Sequence, residues 1–192
     1  MGSKWFIGIL GIFLFLVTIL GATALDVNTC DLLKIGVNNN SAIVLISDID
    51  CAGYSTWTVP NTFGGSITGN NHTISNLEHN NTAGNNGGLF SQVGGTFLME
   101  NFCLDNITLS GNIYVGILWA YDGSATFVEK VNQVCIKNSH FKAYGTNSAT
   151  AVAPFFGYGD VATAGYINNS YSWNNTISSN VDSTNSDYCV IP

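Results

Sequence analysis

Arginine is absent from this 192-residue chain and lysine is scarce, Lys and Arg together numbering 5 against 12 Asp and Glu. Nucleic-acid binding needs clustered cations that displace counterions from phosphates, so that class is excluded. Recognition of acidic polysaccharide through the bidentate guanidinium fork is excluded with it. The chain also lacks G-x-S-x-G and any phosphate-binding loop, so no nucleophile elbow or nucleotide cradle is present. His72, His79 and His140 lack the spacing of metal ligands. They read as structural or exposed, and no cofactor or metal is expected.

Long apolar runs are also missing, except for one at the start. Lys4 is followed by an uncharged stretch from Trp5 to Leu20, then Gly21 and the small-residue triplet Ala22-Thr23-Ala24. A basic start, an apolar middle and an A-x-A end make residues 1–24 a cleavable signal peptide. The competing reading is a membrane anchor, because the run is nearly the ~20 residues that span a bilayer. After cleavage no second run of membrane length remains, nor an apolar tail of the lipid-anchor kind. The mature protein is therefore expected to be secreted, at the cell surface or extracellular, without a membrane partner. Six N-x-S/T sequons, at Asn39, Asn71, Asn80, Asn106, Asn168 and Asn174, imply N-linked glycans. The five cysteines enter an oxidising compartment and fit no zinc pattern, so disulfides are expected.

Helical periodicity is weak beyond the leader. Cys30 to Ile35 reads as a short helix with Thr29 as its N-cap, ended by Asn38-Asn39-Asn40. Later segments read as short strands separated by Gly, Asn and Asp turns, for instance Ala42–Ile46, Gly65–Ile67, Thr73–Leu77, Phe102–Leu109 and Val134–Phe141. An internal repeat organises them. Gly87-Gly88-Leu89-Phe90, Val115-Gly116-Ile117-Leu118 and Val152-Ala153-Pro154-Phe155 align on their small residue. Asn101–Leu109 aligns with Gln133–Phe141, and more loosely with Asn169–Ile177. A helix-free unit of this length cannot bury its own apolar face, but stacked units can. The expected fold is all-β: a right-handed parallel β-helix with a short N-terminal helical cap. Residues 25–41 form the cap, 42–178 the repeats and 179–192 an Asn/Ser/Thr-rich tail. Phe102 is expected over Val134, Leu104 over Ile136 and Leu109 over Phe141. An antiparallel sandwich is the rival, but it does not explain repeats that match position by position.

The stretch Ser47-Asp48-Ile49-Asp50-Cys51, then Phe63-Gly64-Gly65-Ser66-Ile67-Thr68-Gly69-Asn70-Asn71-His72-Thr73-Ile74-Ser75-Asn76-Leu77, then Gly88-Leu89-Phe90 resembles the GLUG-repeat proteins. The resemblance covers residues 42–177, with degraded later repeats. It implies a right-handed parallel β-helix of pectin-lyase-like shape and an adhesive or surface scaffold. It supplies no catalytic motif.

Candidate chemistry is sparse. Asp48 and Asp50 sit two apart near a strand and face solvent, with Ile46 and Ile49 assigned to the core. Paired carboxylates serve acid–base work or calcium, but the further ligands calcium needs are not gathered. Tyr121 and Tyr158 hold equivalent repeat positions and form a candidate ligand face for carbohydrate or protein. Cys30 is expected to pair with Cys51, tying cap to first strand. Cys103 and Cys135 align on neighbouring repeats, and the ~4.8 Å strand spacing permits an external rung-to-rung disulfide. Cys189 is left over and is the candidate for a link between copies. Asn106, Asn138 and Asn174 also align, as an amide ladder expected inside a turn. That burial would keep sugar off Asn106 and Asn174, leaving Asn39, Asn71, Asn80 and Asn168 as first acceptors. The functional expectation is a non-catalytic secreted scaffold in adhesion, surface coat or filament assembly, with head-to-tail self-association. The alternative is a polysaccharide-binding or polysaccharide-cleaving enzyme.

Overall fold

The computed structural model describes residues 24–54, 57, 62–81, 84–94, 96–116, 118–121, 128–145, 151–158 and 164–180. Residues 1–23 of the expected signal peptide 1–24, and Cys189 with most of the C-terminal tail, lie outside the described residues.

The chain begins with strand β1 (Leu25–Val27), helix α1 (Cys30–Asn38), β2 (Ala42–Leu45) and β3 (Ile49–Asp50). Three repeats of four strands follow: β4 (Ser66–Ser75), β5 (Glu78–Asn80), β6 (Asn86–Gly87) and β7 (Phe90–Gln92); then β8 (Thr96–Asp105), β9 (Thr108–Gly111), β10 (Tyr114–Gly116) and β11 (Trp119–Tyr121); then β12 (Val128–Lys137), β13 (His140–Ala143), β14 (Ala151–Ala153) and β15 (Phe156–Tyr158). The last described strands are β16 (Ala164–Asn168), β17 (Tyr171–Trp173) and β18 (Thr176–Ser179). The protein is thus mostly β, and every described strand pair is parallel. An antiparallel sandwich does not fit that pairing.

Four sheets result. The largest runs β1-β2-β4-β8-β12-β16, with β3 and β17 attached; the others run β5-β9-β13-β18, β6-β10-β14 and β7-β11-β15. Each strand pairs with its equivalent in the next repeat, which side-chain alternation turns into apolar columns. Ile43, Ile67, Met99, Val131 and Ile167 lie opposite one another in turn. Phe102 faces Val134, Leu104 faces Ile136 and Leu109 faces Phe141, all buried. Phe63 stacks on Phe90 with centroids 4.4 Å apart, and Phe97 meets both rings edge-on. Such aromatic pairs add about 0.5–1.5 kcal/mol beyond burial.

Local chemistry explains the elements. Thr29 has extended backbone and accepts from the Leu32 N–H, so α1 starts there. Its buried face is Cys30, Leu33, Gly36 and Val37. Gly36 lets helix and strand meet, since a Cβ there would stand 2.8 Å from the Ile43 side chain. Asparagine makes the corners. Asn71, Asn101, Gln133 and Asn169 have positive φ at one bend, and Asn76, Asn106, Asn138 and Asn174 at the next. Asn tolerates this left-handed region better than other non-glycine residues because its short amide bonds locally.

The structure corrects several expectations. Gly65–Ile67 and Thr73–Leu77 are not separate strands, because β4 runs continuously through the Asn70–Asn71 bend. Phe90 lies opposite Trp119, not Leu118, because the second repeat has one more residue at that corner. Ile46 is not core but 50% exposed, lying just beyond the end of β2, whereas Ile49 is buried.

Candidate functional site

The sheet β5-β9-β13-β18 carries a grooved face. Alternation sends His79, Leu109, Phe141 and Ile177 to one side and leaves two polar columns on the other. Glu78, Thr108, His140 and Thr176 form one column; Asn80, Ser110, Lys142 and Ser178 form the second. They line a shallow groove of about 300 Å³. Ser110 Oγ donates to Asn80 Oδ1 at 2.7 Å, and Lys142 Nζ stands 4.6 Å from the Tyr144 ring centre. A face of hydroxyls, amides and one cation can hydrogen-bond a polyhydroxylated ligand.

A second groove, about 450 Å³, is lined by Cys51, Tyr54, Trp57, Glu78 and His79 among others. His79 occupies a position that is apolar in the later repeats, which explains its burial. Burial pushes its pKa below the ordinary 6.5, partly offset by the Trp57 carbonyl 2.8 Å from Nδ1. A carbonyl only accepts, so Nδ1 carries the proton and Nε2 is left as an acceptor. That Nε2 and the Trp57 Nε1 are buried without hydrogen-bond partners. The repeat alignment held the signal for this: a histidine in line with Leu109 and Phe141.

Asp48 and Asp50 are exposed, and Oδ1 of each has two hydrogen-bonding neighbours. Asp48 Oδ1 accepts from the Thr73 N–H at 2.8 Å and lies 3.3 Å from His72 Nδ1. Asp50 Oδ1 accepts from Asn76 Nδ2 at 2.8 Å and from the Ala52 N–H at 3.0 Å. The Thr73 backbone bond and then His72 hold Asp48 below the usual carboxylate range, and Asn76 and then Ala52 do so for Asp50. The shift is in the direction that keeps both carboxylates ionised, opposite to what a general acid near neutral pH requires. His140 is exposed on the outer face of its strand. Among the described residues no three His, Cys, Asp or Glu side chains gather as a metal site.

The structure joins Cys30 to Cys51 and Cys103 to Cys135, with Cα atoms 5.7 and 4.5 Å apart. Both cysteines of the second bridge alternate with core residues and line an outer groove, where Tyr171 partly covers them. Cys135 is only 3% exposed, because Tyr171 pairs directly beside it and shares the groove over the disulfide. The asparagine ladder is corrected. Asn106 Nδ2 donates to Asn76 Oδ1 at 2.6 Å and Asn174 Nδ2 to Asn138 Oδ1 at 2.8 Å, yet Asn106 and Asn174 are exposed. Positive φ turns these side chains along the outside of the bend, but Asn138 Nδ2 donates to Asp105 Oδ1 at 2.8 Å rather than to Asn106, so the amides form two separate bonds and no continuous ladder. Asn39, Asn71, Asn80 and Asn168 are exposed as well. Tyr121 pairs with Tyr158 on adjacent strands, but their side chains lie outside the described atoms. The two bridges, with no membrane-length apolar helix among the described residues, are compatible with an extracellular protein. No family model, curated protein or solved structure matches the chain.

Proposed function

We propose that this chain is a secreted, N-glycosylated, non-catalytic scaffold of the GLUG-repeat kind, serving in adhesion, surface coat or filament assembly. Its four parallel sheets are then the faces of one right-handed β-helix. The observation that carries the reading is the register: strands of successive repeats pair in parallel in every sheet. Such an array gives long faces and ends with unpaired backbone groups, which favour head-to-tail pairing. Two bridges use four of the five cysteines, and Cys189 links copies or couples one copy to a surface protein.

The test is non-reducing electrophoresis and size measurement of the secreted protein beside Cys189→Ser. The reading expects a disulfide-linked species that the variant loses. Wholly monomeric wild type, with Cys189 bonded inside its own chain, contradicts the self-association. The polar groove on β5, β9, β13 and β18 supports a second reading, polysaccharide binding on that face. Screening pectin, alginate and chitin fragments tests it: saturable binding that substitutions on that face abolish supports it, absence of binding contradicts it, and turnover overturns the non-catalytic reading.

A further inference from the structure

Four large apolar side chains are exposed among the described residues: Ile35 at 49%, Ile46 at 50%, Tyr171 at 58% and Trp173 at 67%. Three of them lie within four residues of a sequon asparagine in the chain, and Ile46 connects to one only through Leu45 and Asn70. Asn39 follows Ile35 by one helical turn, its N–H donating to the Ile35 carbonyl at 3.1 Å. Residues four apart share a helix face. Ile46 follows Leu45, whose carbonyl accepts from Asn70 Nδ2 at 3.0 Å, and Asn70 immediately precedes the acceptor Asn71. Tyr171 and Trp173 project from one face of β17, which Asn168 and Asn174 flank in sequence. Scattered exposed apolar residues need no explanation alone. Their coincidence with exposed sequons, in a chain with few charges to keep it soluble, does.

We propose that the chain's own N-linked glycans cover these side chains, and that the first sugar on Asn174 packs against the indole of Trp173. This rests on the secreted reading above. The amide nitrogen displaces a pyrophosphate-linked lipid carrier from the anomeric carbon of an activated sugar. A C–N bond forms, the carrier leaves as its pyrophosphate, and the amide loses one proton. Asn174 Nδ2 begins with two hydrogens, so the remaining one still donates to Asn138 Oδ1. A pyranose presents a face of C–H groups that suits an aromatic ring. Tethering to the adjacent residue gives that weak contact a high effective concentration.

The experiment uses the full chain, with its leader, in a eukaryotic secretory host. Glycopeptide mass spectrometry first reads occupancy at Asn174. Thermal unfolding then compares wild type, Thr176→Ala, Trp173→Ser and the double variant. Thr176→Ala removes the hydroxyl the sequon requires and leaves Asn174 and its bond to Asn138. The expected result is a midpoint about 2 °C lower for Thr176→Ala in the wild-type background and unchanged in the Trp173→Ser background. Trp173→Tyr keeps an aromatic face and retains the coupling; Trp173→Gln replaces Trp173→Ser if that variant is not exported. Exported protein with Asn174 bare, or with equal losses in both backgrounds, overturns the inference alone. A chain that is neither exported nor glycosylated overturns the secreted reading as well.

Discussion

At the scale of single residues, asparagine does two jobs at once. Asn76, with φ of 57°, accepts from Asn106 and donates to Asp50. An alanine there must hold a left-handed conformation, costing about 1–2 kcal/mol, and each lost hydrogen bond costs about 0.5–1.5 kcal/mol. Asn76→Ala is therefore expected to destabilise by roughly 2 kcal/mol or more in denaturant unfolding. Asn76→Gly recovers the backbone part only. Equal effects from the two variants would mean that the side-chain bonds, not the bend, set the cost. His79 gives a pH dependence. Its folded pKa is pushed down by burial, so the unfolded chain takes up the proton first, near 6.5. Stability is full above that pH and falls as pH drops towards the folded value. His79→Leu, which fits the column with Leu109, is expected to flatten the curve between pH 7.5 and 5, and an unchanged slope would place the titration elsewhere.

Among the elements, α1 and the Cys30–Cys51 bridge act together as the N-terminal closure. The bridge spans 21 residues and ties the helix start to the segment after β3. Loop entropy assigns such a closure roughly 3 kcal/mol. Cys30→Ser with Cys51→Ser is expected to lower stability by about that amount with the parallel sheets retained in far-UV circular dichroism. Much of this level was legible in the sequence. Thr29 and the asparagine stop follow from capping chemistry, although α1 runs on to Asn38, past the expected end at Ile35; Phe102/Val134 and Leu109/Phe141 follow from alternation plus the repeat. Three things were not. β1 is too short to show periodicity. The extra corner residue before Trp119 shifts one strand by a single position, which alignment on glycine hides. The outward asparagine pairs depend on φ, because the same aligned amides fit a turn from within or without.

For the whole molecule, burial falls off at one end. Ile167 and Ile177 close the columns begun by Ile43 and His79 but are only partly buried. In the column of Leu104 and Ile136 the last position is Ser172. The sequence carried this gradient as a loosening match in the third copy, Asn169 to Ile177. It did not carry the grooves, since groove depth depends on how far neighbouring strands splay. The stacked fold requires successive repeats to lie strand on strand in order. Thr108, His140 and Thr176 are consecutive partners in one sheet. The most direct measurement is oxidative cross-linking of paired cysteines there, mapped by mass spectrometry against the native Cys103–Cys135 bridge. Neighbouring strands lie ~4.8 Å apart and a disulfide spans Cα atoms up to ~7 Å apart. Thr108→Cys with His140→Cys, and His140→Cys with Thr176→Cys, are predicted to cross-link within the chain; Thr108→Cys with Thr176→Cys, two strands apart, is predicted not to. Cross-linking of the distant pair without the adjacent ones would contradict the stacked order.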